Sequence, residues 1–79
     1  MNYYVVSTRS FSTRKKVSHG FDYYIEAMYH ADVMMDRLNG EYYSGPDNKF
    51  NMDDFDFIEQ HGGLTRRVRD LGSVTISRM

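Results

Sequence analysis

The chain has no cysteine, no tryptophan and one proline in 79 residues. Without cysteine there is no disulfide framework and no thiolate-based zinc or redox centre, which fits a reducing compartment. No stretch approaches the roughly 20 apolar residues that a membrane helix needs, and the opening MNYYVVSTRSF lacks the apolar run of a signal peptide. The expectation is a soluble, cytoplasmic protein with no membrane partner. Scarce proline, with seven Tyr and five Phe, makes the chain too apolar for a disordered tail. Neither an internal repeat nor a low-complexity tract is visible.

Seventy-nine residues make a single domain, 1–79, with a small core and a thin stability margin. The formal net charge of -1 conceals a segregation along the chain. Residues 1–20 carry Arg9, Arg14, Lys15 and Lys16 and no acid; residues 21–63 carry ten acids against Arg37 and Lys49; residues 64–79 are again basic. Blocks of one sign mean either separate faces or mutual neutralisation in the fold.

The most periodic segment is 20–39. Phe21, Tyr24, Ile25, Met28, Ala31, Met35 and Leu38 recur at steps of three and four, which predicts a core-facing helix with Ser18 as its N-cap and Gly40 as its C′ residue. Tyr23, Ala27, His30 and Met34 form a second ridge beside that stripe, suggesting a partner or self-association contact at Tyr23 and Met34. Asp32 falls within the apolar stripe, and a buried acid needs a hydrogen-bond or ionic partner, a basic residue of another element being the first candidate. Residues 2–11 alternate as a strand with Tyr4, Val6 and Thr8 on one face, followed by a short strand around 16–18. Residues 41–48 read as a loop entered by Tyr42 and Tyr43.

Residues 51–61 read as a short helix with Asn51 as N-cap, Asp53 and Asp54 near its positive end and Gly62 as terminator; a strand is the competing reading. Leu64, Val68 and Leu71 are spaced for a further turn or two of helix before Gly72, and 73–79 alternates as a final strand that should pair with the first. The expected class is α+β: a mostly antiparallel sheet of two to three strands covered on one face by one long helix, with short C-terminal helical segments.

Motifs for chemistry are weak. His19, His30 and His61 are scattered; His30 and Asp32 lie two apart on a helix and point in different directions, and Glu26 with His30 is more simply a surface pair, so no metal site is expected. Asp53, Asp54 and Asp56 lack the glycine and closing glutamate of a calcium loop. No serine sits in a nucleophile turn, and Gly62-Gly63 before Arg66 and Arg67 lacks the Gly-Lys-Ser/Thr of a phosphate loop. No cofactor and no enzymatic activity are expected.

In its brevity, its Tyr-, Met- and Asp-rich style and its lack of an enzymatic motif, the chain resembles the small accessory proteins of bacteriophages, including anti-CRISPR and other anti-defence proteins and host-takeover inhibitors. The resemblance implies stoichiometric binding to a host or defence-system protein in the host cytoplasm, with acidic side chains placed where the target's lysines and arginines expect nucleic acid. On that reading the recognition surface is Asp53, Asp54, Asp56 and Glu59, with Tyr42 and Tyr43 supplying interface area. The alternative is a nucleic-acid-binding module that uses Arg14, Lys15 and Lys16 together with Arg66, Arg67 and Arg69, provided that the two clusters converge.

Overall fold

A computed structural model describes residues 3–38 and 49–79. Its elements run β1 (Tyr4–Ser10), β2 (Lys16–Phe21), α1 (Tyr24–Leu38), α2 (Asp54–His61), β3 (Gly63–Val68) and β4 (Gly72–Arg78). The strands form one antiparallel sheet in the order β2-β1-β4-β3. The α+β class is as expected, with four strands rather than two to three.

Alternation along the strands decides which side the helices cover. Tyr4 and Val6 of β1, Val74 and Ile76 of β4 and Val68 of β3 are buried, and their neighbours point to the opposite side of the sheet. Onto this apolar side α1 lays Tyr24, Ala27, Met28, Ala31 and Met35, all buried and three or four residues apart. Ile58 of α2 and Phe50 complete the core. The rings of Tyr4, Tyr24 and Phe55 meet edge-on or tilted, with centroids 5.4 to 6.4 Å apart, and the Tyr24 hydroxyl donates to the Asn51 carbonyl at 2.7 Å.

Several expectations need correction. The first helix starts at Tyr24, because Gly20 and Phe21 extend β2 and pair with Val5 and Tyr4. Ser18 is therefore mid-strand, not a cap. The helix is also rotated from the expected face: Ile25 is exposed, whereas Ala27 of the second ridge is fully buried and Met34 packs against the core. The segment 64–71 is β3 and a turn rather than a helix; Leu64 and Val68, four apart, satisfy a period of two as well as one of 3.6.

Gly72 is not a helix terminator. A Cβ there would lie 2.2 Å from the Arg9 carbonyl and 2.9 Å from Leu38, so only glycine lets β4, β1 and α1 close together. The helical reading of 51–61 holds as Asp54–His61. The N-cap of this helix is Asp53, which makes no side-chain cap bond, rather than the expected Asn51; Asn51 instead ties the turn before the helix, its side chain accepting from the Asp53 amide at 2.9 Å while Asp54 accepts from the Asn51 amide at 3.0 Å. Gly62 ends it in the left-handed region with φ 86°. The predicted C′ role of Gly40 and the 41–48 loop with Tyr42 and Tyr43 fall outside the described residues.

Candidate nucleic-acid interface

Charge in this protein is sorted by layer. None of the four strands contains an Asp or Glu. The described acids lie in the helices, in the segments that lead into them, or at Asp70 in the β3–β4 turn. Among the described residues, the strand side chains on the sheet face turned away from the helices accordingly include no acid.

Register puts its side chains in rows across the sheet. One row reads Ser18, Ser7, Thr75, Thr65, and the next Lys16, Arg9, Ser73, Arg67. The hydroxyl row is joined in pairs, Ser7 to Ser18 at 3.0 Å and Thr65 to Thr75 at 2.7 Å. The cationic row crosses three interstrand steps, about 14 Å. A shallow trough of about 280 Å³ runs between the rows, lined by Ser7, Arg9, Lys16, Thr65, Ser73, Thr75 and Ser77. Arginine, lysine and hydroxyl donors on one surface are the side chains that bind phosphate oxygens.

Both hairpin turns lie at the cationic end of this face, because β1 and β3 run toward it and β2 and β4 away from it. The turns touch: the Phe11 amide donates to the Leu71 carbonyl at 3.0 Å, and the Arg67 guanidinium sits 5.4 Å over the Phe11 ring. Arg14, Lys15 and Arg69 thus join Arg9, Lys16 and Arg67, and all six are exposed. None of them has an ion-pair partner among the described residues. Arg14 and Arg69 both adopt positive φ, 58° and 48°, a region that disfavours any side chain with a Cβ. Backbone strain of this kind concentrates at functional sites.

The predicted convergence of the two basic clusters is therefore present, with one correction. Arg66 points to the helix side, where its Nη2 donates to both Asp54 carboxylate oxygens at 2.9 Å and its guanidinium lies 5.3 Å over the Phe50 ring. It is a structural tie between β3 and α2. Arg9, absent from the predicted cluster, sits at its centre; strand alternation together with the β1–β2 register is the signal that finds it.

The predicted acidic surface is divided. Asp54 is held by Arg66, while Glu59 accepts from the Tyr4 hydroxyl and pairs with Arg78 Nε at 2.7 Å. Burial first, and Glu59 second, push the Tyr4 hydroxyl up to about 12. Asp53 and Asp56 remain exposed, as does Tyr23, whereas Met34 is half-buried against the core. Asp32 has the expected partner in the form of a hydrogen bond, accepted from the Phe50 backbone amide at 3.1 Å. Burial raises its carboxyl above the usual range, and that hydrogen bond opposes the rise.

His30 packs against the rings of His19 and Phe21 at 4.9 and 5.1 Å, and burial followed by the charges of His19 and Arg37 lowers its pKa. Among the described residues no group of three or more His, Cys, Asp or Glu could hold a metal ion, and no helix is long and apolar enough to cross a membrane. No family model, curated protein or solved structure matches this chain.

Proposed function

We propose that the protein binds nucleic acid through the open face of its sheet, gripping the phosphodiester backbone without reading bases. The supporting observation is the cationic row Lys16, Arg9, Ser73, Arg67, extended by Arg14, Lys15 and Arg69 on a surface whose strands contain no acid. The net charge of -1 does not oppose this, because the acids balancing these cations sit mainly in the helical layer. Separation of charge by layer leaves a local positive field that the sum conceals. The two central rows hold no aromatic ring for stacking bases, so affinity comes from charge and is strongly salt-dependent.

The test is titration of labelled single-stranded and duplex DNA and RNA at rising salt. Wild type should bind at low salt, with log K falling by about 0.7 per phosphate contact per log unit of salt for single strands. Arg9→Ser with Arg67→Ser should remove about two contacts from that slope. Absence of binding to any of these polymers at low salt, or an unchanged slope in the double variant, overturns the proposal.

A second reading keeps the phage-type inhibitor of a host or defence-system protein, acting without catalysis. It is favoured by the outer side of α1, where Ile25, Tyr29 and Val33 stand 47, 62 and 46 % exposed in a row, with Tyr23 nearby. Asp53 and Asp56 would steer the encounter with a basic target. Lysine at both positions should then abolish capture of that target.

A further inference from the structure

The β2 edge points to a partner that does not depend on the nucleic-acid reading. Five of the six residues of β2 are exposed, Phe21 being half-buried. The Ser10 amide donates to the Lys15 carbonyl, in step with the β1–β2 register. Backbone groups alternate sides along an antiparallel strand, so Val17, His19 and Phe21 spend theirs on β1 while Lys16, Ser18 and Gly20 turn theirs outward. Proteins normally guard such an edge with proline, a bulge or an inward-pointing charge. The other edge strand, β3, carries inward Arg66 and has α2 packed along it. In contrast, β2 has no proline, pairs one-to-one with β1 over its length, and holds a single charge, at its first residue. Val17 is also 50 % exposed although it lies on the helix side of the sheet.

We propose that this edge pairs with the same edge of a second copy, antiparallel about a twofold axis at His19, joining two four-stranded sheets into one. Opposed residues must share a face, which restricts the axis to an odd or an even residue in the middle of the strand, His19 or Ser18. About Ser18, Lys16 meets Gly20 and Val17 meets His19. About His19, Ser18 and Gly20 exchange the outward backbone hydrogen bonds, Val17 meets Phe21, and Lys16 meets Asp22, in each case of the second copy. The second register covers the exposed Val17 with an apolar ring and gives Asp22 a cation; neither Lys16 nor Asp22 has an ion-pair partner among the described residues. By symmetry each pair is made twice.

Sedimentation equilibrium without nucleic acid tests it. Wild type should approach twice the single-chain mass as concentration rises. Ser18→Pro, which removes an outward amide that β1 does not use, should give the single-chain mass with an unchanged circular dichroism spectrum. Lys16→Glu or Asp22→Lys alone should weaken association roughly tenfold, since each sets two like-charged pairs opposite one another. The double variant should restore it, and restoration is specific to the His19 register. A wild type that stays at single-chain mass to its solubility limit, a dimer that survives Ser18→Pro in its folded state, or a double variant that fails to recover overturns the proposal. If Ser18→Pro does not fold, the charge set alone decides. Because the readout is mass and no polynucleotide is present, failure here leaves the open-face reading untouched.

Discussion

Arg66 and Arg67 are adjacent in sequence and have opposite roles. The Arg66 side chain lies against Asp54 and the Phe50 ring and is 26 % exposed, while that of Arg67 is exposed and lies over the Phe11 ring. Arg66→Ala should destabilise the protein by about 2 kcal/mol, because it strips a partly buried carboxylate of its partner. Arg67→Ala should change stability by less than about 1 kcal/mol yet weaken oligonucleotide binding; urea melts and the titrations above measure the two effects. His30 makes a further residue-scale prediction. Its pKa is lowered in the fold from an ordinary 6.5, so the unfolded chain takes up the proton first as pH falls. The stability it contributes is complete above the ordinary value and is lost as pH drops toward the folded one. His30→Gln should therefore flatten the dependence of the urea midpoint on pH between about pH 7.5 and about pH 5.5.

At the scale of elements, the two hairpin turns join stability to function. A glycine relieves the positive φ of Arg14 or Arg69, so Arg14→Gly and Arg69→Gly should each stabilise by about 0.5–1 kcal/mol while reducing affinity for polynucleotide, a trade between strain and activity. Thermal melts beside the binding titration would show both shifts. How legible these elements were in the sequence depended on whether one period fits uniquely. Both helices could be read, α1 from its long stripe and α2 from charges and a terminator at its ends. The third strand could not, since Leu64 and Val68 fit helix and strand alike, and that ambiguity also hid the site: on a helix Arg66 and Arg67 are near neighbours, whereas on β3 they lie on opposite faces. Gly20 misled in the same way, reading as a break before a helix when it continues an edge strand opposite Val5. The rotation of α1 that exposes Ile25 depends on which strands lie beneath it, information that no single-helix pattern contains.

Over the whole molecule, long-range strand pairing sets how the chain assembles. Joining β1 to β4 brings Tyr4 opposite Arg78, and the Met79 amide donates to the Tyr3 carbonyl at 2.8 Å, so the described ends lie side by side in neighbouring strands. Such closure of a nearly full-length loop is slow to find by diffusion. Consider a circular permutant in which a short linker joins these ends and the chain is reopened between α1 and α2. Its elements would run α2, β3, β4, β1, β2, α1, and the spatial order β2-β1-β4-β3 becomes a simple meander in which every paired strand follows its neighbour. The native contacts are the same, but the most distant strand pairing has become a hairpin. Stopped-flow refolding should be several-fold faster than for the natural order, with equilibrium stability within about 1 kcal/mol. On that expectation the connectivity, more than the sheet it builds, sets how quickly this fold is reached.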